Sequence, residues 1–225
     1  MSSQSTTANS LVKSYQSIND EGEIISKIKY VHGRPIQYRF NGQTGGFNKD
    51  QEYKEGEIAT KGRVEVGELL TIQPIGFRMF KDKLFARKDD NTNELRAEDW
   101  AEIFFVNMER KVCSLMFNNS SYRALDAVMT SLAYNDKSLT DVKLNISSKE
   151  ASSPKGPYYI ASFKVTPATP ESIKIYTEFC EDYFVYQAST IQQSAQISIA
   201  SKHYPLHLFG ITPEVASKIL LPIAA

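Results

Sequence analysis

Two cysteines, one tryptophan and three histidines leave this 225-residue chain little material for several common chemistries. The thiols Cys113 and Cys180 are too few and too far apart for a disulfide framework or a Cys-x-x-Cys site, and small core residues are expected there. His203 and His207 stand four apart, but Pro205 between them disfavours the helix that would align two imidazoles on one metal. Also missing are a Gly-x-Ser-x-Gly elbow, a His-Glu-x-x-His pair, and any dinucleotide or Walker fingerprint. Gly45-Gly46 is followed by no Gly-Lys-Ser/Thr. An enzyme is therefore not expected, and neither a cofactor nor a metal is called for. No apolar run approaches the roughly 18 residues that span a bilayer. The first residues lack the basic and apolar blocks of a secretory signal, so an intracellular location is expected, the host cytoplasm if the protein is viral. Net charge is missing too. With 26 basic and 26 acidic side chains, any electrostatic footprint must be local.

A hydrophobic content of 41% is enough for a real core. The segment 100–107 (WAEIFFVN) and the segment 111–118 (KVCSLMFN) are rich in aromatic and branched residues that suit strands. Only Met108, Glu109 and Arg110 separate them, which predicts an antiparallel pair. Asn119 or Ser120 can cap a following helix, 119–134, whose Tyr122, Leu125, Val128, Met129 and Leu132 recur at steps of three and four. Upstream, 64–80 reads as one long strand interrupted near Pro74 and Gly76. Downstream, 139–147 and 158–165 alternate as strands around a polar loop, 148–157. Residues 1–22 are expected as a flexible arm, 23–48 as strands with a turn at Asn41-Gly42, and 49–63 as a charged connection. Thr169-Pro170-Glu171 starts a helix that the spacing carries to about residue 200, with Glu178, Glu181 and Asp182 on its solvated side. Three regions follow: the arm 1–22, a β domain 23–168, and a helical extension 169–225.

Basic residues interleaved with aromatics are the remaining signal. One span holds Lys29, Tyr30, Arg34, Tyr38 and Arg39. A second holds Phe77, Arg78, Phe80, Lys81, Lys83 and Arg87, with Trp100 as a further stacking candidate. Single-stranded nucleic acid requires this pairing, because cations follow phosphates while flat rings stack on bases. The order strand, strand, strand, helix, strand, strand over 64–166 resembles the OB-fold, a five-stranded Greek-key barrel with its helix between strands three and four. The resemblance is closest in kind to the single-stranded DNA-binding proteins of phages and plasmids, which add strands and helices to that core. It implies a mainly β chain with helices (α+β), and a ligand face framed by loops 81–99 and 148–157. Both basic–aromatic spans are expected to border one groove, with Trp100 at its edge. The expected partner is single-stranded DNA, or RNA in its place, bound largely without regard to sequence. No membrane is expected, and homo-oligomers through the C-terminal helices fit the class. The competing expectation is a structural or assembly protein, such as a virion component, whose strands and long helix make protein contacts only.

Overall fold

A computed structural model describes residues 12–50, 62–84, 94–191, 194–212 and 214–216. The chain is mixed α+β and mostly strand. In order it forms β1 (Gln16–Ile18), β2 (Ile24–Ser26), β3 (Ile36–Phe40), β4 (Phe47–Asp50), β5 (Arg63–Gly67), β6 (Leu70–Ile72), β7 (Pro74–Asp82), β8 (Glu98–Val106) and β9 (Val112–Asn118). Then come α1 (Asn119–Ala133), β10 (Val142–Ser153), β11 (Gly156–Pro167), α2 (Pro170–Asp182) and β12 (Gln196–Ala200). The large sheet has the order β12-β7-β8-β9-β3-β4-β5, a small one β11-β10-β6, and β1 pairs with β2.

The central strands β7, β8 and β9 are buried on both faces, which is why they read as nearly continuous apolar runs. Alternation sends Ala101, Ile103 and Phe105 of β8 into the core shared with the small sheet and α1. It sends Phe104 into a second core, built with α2, Tyr15, Ile28 and the segment around Tyr204. The molecule is thus layered: the small sheet and α1 on one side of the large sheet, α2 and the terminal segments on the other. Helix α1 buries Leu125, Met129 and Leu132, with Tyr122 and Val128 at the margin, as its spacing predicts. Its cap is Asn118, one residue earlier than expected. The Asn118 side chain donates to Glu98 at 3.0 Å instead of closing the helix end.

No sheet closes into a barrel. Strands β6 and β7 are almost continuous through Gln73, yet β6 pairs with β10 in one sheet and β7 with β8 in the other. The expected strand 64–80 is therefore three strands, with the irregularity expected near Pro74 present as a register shift between Pro74 and Gly76. Closing a barrel from β11-β10-β6/β7-β8-β9 would require β9 to meet β11. That edge of β9 is instead occupied by β3, in parallel register from Ile36–Cys113 to Arg39–Met116.

The ends of the chain also differ from expectation. Tyr15, inside the supposed arm, is 1% exposed, and the Tyr15 hydroxyl and Lys13 ammonium both donate to Asp182. Ser14 donates to Glu178 through its amide and its hydroxyl. The acids of α2 therefore anchor the N-terminal segment instead of merely facing water. Helix α2 starts as predicted, with Thr169 accepting from the Ser172 amide at 3.2 Å, but it ends at Asp182. Beyond it Val185 and Gln187 are buried while Phe184 and Ala188 are exposed, an alternation of period two that overrides the helical spacing. Residues 196–200 are an edge strand on β7.

Candidate nucleic-acid interface

The second basic–aromatic span does not form a surface. Phe77 is in the core between the sheets, and Phe80 and Trp100 pack with Leu84 in a third cluster. Arg78 and Glu102 are opposite each other on β7 and β8, both side chains 0% exposed. Arg78 Nε donates to Glu102 at 2.8 Å and Nη2 to the Thr190 carbonyl at 2.8 Å, while the guanidinium stacks 3.9 Å from the Phe80 ring centroid. Burial pushes the Glu102 carboxyl upward against the pull of Arg78. These residues sit on strands covered on both faces, so the spacing that suggested stacking rings belongs to a core ion pair and its packing. Of the described members of this span only Lys81 and Lys83 are exposed, where they border a cleft of about 480 Å³ with Asp82 and Ser194. Arg87 lies outside the described residues. The loop expected at 148–157 is the paired end of the β10–β11 ribbon, down to Ser153–Gly156. Strand β7 is separated from β3 by two strands, roughly 14 Å at ordinary strand spacing, so the two spans do not line one groove.

The first span fares differently. Tyr38 is buried, edge-on to Phe105 with centroids 5.1 Å apart, and is a core residue. Lys29 and Arg34 are exposed and Arg39 is half-buried. The parallel pairing of β3 with β9 carries Lys29 and Arg34 to the end of the large sheet where the β8–β9 turn lies. There the backbone of Lys29 bonds to that of Arg110 at 2.7 Å and Val112 at 2.9 Å. Arg110 holds a left-handed conformation (φ 61°) that closes the turn. Lys49 and Lys111 both bond Glu109, at 3.1 and 2.9 Å, and hold its carboxyl below the usual range. Arg63 lies opposite Asp50 across β5 and β4. Among the described residues this end therefore gathers Lys29, Arg34, Lys49, Arg63, Arg110 and Lys111 near the acids Asp50 and Glu109.

Beside it a cleft of about 420 Å³ opens between the start of β3 and the segment 187–189, lined by Arg34, Gln37, Asp50, Gln187 and Ser189. Its walls are fixed. The Ala188 amide donates to the Gly33 carbonyl at 2.8 Å, and Gln187 is tied to Ser114 at 2.8 Å and Ser189 at 2.7 Å. Gly33 (φ 67°) is required here, because a Cβ would stand 3.0 Å from the Tyr186 ring. The Tyr30 hydroxyl accepts from the Gly33 and Tyr186 amides, and its ring lies 5.3 Å from that of exposed His32. Arg34 makes no side-chain hydrogen bond or ion pair among the described residues.

Among the described residues no group of three or more His, Cys, Asp and Glu side chains is placed to hold a metal. Burial pushes the Cys180 thiol up to about 12, which leaves it a poor nucleophile. His203 is half-buried, with its pKa lowered by that burial and by Lys202, while His207 packs on Phe184. Lys49, Arg63, Arg110 and Lys111 escape a sequence search because only the non-local pairing of β3 with β9 brings them to Lys29. Among the described residues no helix is long and apolar enough to cross a membrane. No protein-family model matches the chain, and neither a curated protein nor a solved structure matches it.

Proposed function

We propose that this protein is a non-enzymatic binder of single-stranded nucleic acid, DNA foremost, and that the strand crosses the cationic end of the large sheet. The observation that carries this is the gathering of Lys29, Arg34, Lys49, Arg63, Arg110 and Lys111 in a chain with no net charge. Cations concentrated at one end of a neutral protein provide the local footprint that phosphates require. His32, held against Tyr30, offers an exposed ring on which a base can stack. The core supports the same reading. Pairings β7–β8, β8–β9, β6–β10 and β10–β11 follow the order of an OB-like barrel, which we take to have been opened where β3 enters beside β9.

A second reading, a subunit of a larger assembly, draws on the β1–β2 hairpin, where Ile18, Ile24 and Ile25 are all exposed. Fluorescence anisotropy with a labelled oligo-dT separates the two. The variant K29A/R34A/R110A should lose at least tenfold in affinity, whereas K81A/K83A should stay within about twofold of wild type. Equal losses in both variants would place the strand elsewhere. Failure of the intact protein to bind any oligonucleotide leaves the assembly subunit standing.

A further inference from the structure

The cleft between β3 and 187–189 contains a group that does not belong in a phosphate track. Unlike Glu109, which two lysines hold, Asp50 has no lysine partner among the described residues, and its side chain is 40% exposed. Its ion pair is loose: Arg39 approaches its two oxygens at 3.4 Å each, while the short bond of that guanidinium, 2.6 Å, goes to Gln37 Oε1. The carboxylate therefore keeps lone pairs available to the cleft. The contact with Arg39 also fixes the Gln37 amide, whose oxygen is occupied and whose Nε2 makes no hydrogen bond among the described residues. Cleft-lining groups thus include an acceptor (Asp50), an N–H donor (Gln37 Nε2) and, from Arg34, a cation with no partner among the described residues.

Resting on the proposed nucleic-acid binding, we infer that this cleft takes one nucleobase by its edge and favours cytosine and adenine, whose Watson–Crick edge sets an exocyclic amino group beside a ring-nitrogen acceptor. Arg34 meets the phosphate of that nucleotide. Asp50 accepts from the amino group, as carboxylates do from cytosine N4, and Gln37 Nε2 donates to the adjacent ring nitrogen or carbonyl. Cytosine and adenine each present an amino donor next to a ring-nitrogen acceptor, which matches the acceptor–donor pair of Asp50 and Gln37. Guanine presents its N–H groups beside a carbonyl. Thymine and uracil present a single imino N–H between two carbonyl oxygens, and a carboxylate repels those oxygens. A volume of about 420 Å³ lies within the roughly 300–1,000 Å³ of small-ligand sites. The rest of the strand is held by charge and stacking, so the preference concerns one position in an otherwise tolerant interface.

The test is a competition assay with a labelled oligo-dT displaced by unlabelled dT, dC and dA homopolymers of one length at one salt concentration. Oligo-dC and oligo-dA should displace the label about fivefold more effectively than oligo-dT, the low end of the discrimination of a good base contact. In D50L, which removes the acceptor, that preference should collapse to within about twofold. Equal competition by the three homopolymers in wild type would overturn the base-edge site and leave the nucleic-acid function intact. A preference that survives in D50L would place the selective contact elsewhere and also overturn it. If none of the oligonucleotides binds, the underlying function fails, and this inference with it.

Discussion

Replacing Arg78 with methionine removes a cation at a wholly buried position while keeping much of its volume. The substitution leaves the Glu102 carboxylate with one protein donor, the Thr190 hydroxyl at 3.0 and 3.1 Å. It also strips the Thr190 carbonyl of its 2.8 Å bond from Nη2. Two unit charges about 4 Å apart attract by about 4 kcal/mol at an effective dielectric constant near 20. Removing one partner of a buried pair typically costs about 3–5 kcal/mol, because the other charge remains uncompensated. Part of that is the lost stacking of the guanidinium on Phe80 and on Phe209, whose ring centroid is 4.7 Å away. Arg78→Met should therefore lower the unfolding free energy by about 3–5 kcal/mol. The double variant R78M/E102L should recover to within about 2 kcal/mol of wild type, since an apolar pair needs no compensation. Urea unfolding at pH 7, followed by the single tryptophan, Trp100, measures all of them. A loss below about 1 kcal/mol for the single variant would refute the reasoning, as would a double variant as costly as the sum of the two singles. Where Arg78→Met remains folded it should bind oligonucleotide normally, because Arg78 touches no surface.

Three further outcomes follow from the structure. Gly45→Ala should cost about 2–4 kcal/mol: Gly45 is at φ 76°, and its new methyl would lie 2.7 Å from Ser148 Oγ and 2.9 Å from the Tyr159 ring. A urea midpoint unchanged from wild type would show that the 41–46 turn does not dock on the β10–β11 ribbon. Asp182, through Lys13 and then Tyr15, and Glu178, through Ser14, both have carboxyl pKa values lowered in the folded state. Their contribution is complete above the ordinary carboxylate range, near pH 4, and is lost as pH falls through the folded values. Proteolytic cleavage near residues 12–15 should therefore accelerate below about pH 4 well before global unfolding, and a flat rate would contradict the clamp. Truncation after Ser201 removes Tyr204 and Leu206, each 5% exposed in the second core, and should unfold the chain instead of merely changing its assembly. A truncated chain with a native melting curve would show that core to be dispensable.

What was legible in the sequence was local. The α1 face, the turn between β8 and β9, the Thr169 start of α2 and the irregularity at Pro74 are each specified within a dozen residues, and the structure has them. The partner of β9 could not be read. A chain segment more than 70 residues upstream takes the edge that an OB-like barrel would have used, and no periodicity encodes that choice. Arg78 misled for a related reason. An arginine between phenylalanines reads as surface chemistry until Glu102 is placed opposite it by the β7–β8 register. The C-terminal half of the expected long helix failed because Ile197 and Ile199, two residues apart, suit a strand and not a helix face, and they pair with β7. Of the candidate interface, Lys29 and Arg34 were visible, whereas Arg110 read only as part of a turn and Lys111 as the start of a strand.

The central claim is that the cationic end of the large sheet holds a polyanion, and the salt dependence of binding by the intact protein tests it most directly. Anisotropy titrations of a labelled oligo-dT between low and moderate salt should give a log–log slope of about −2 to −4. That corresponds to roughly three to six phosphates neutralised on a single strand, within the number of cations at that end. A slope near zero, or no binding at the lowest salt, would contradict it.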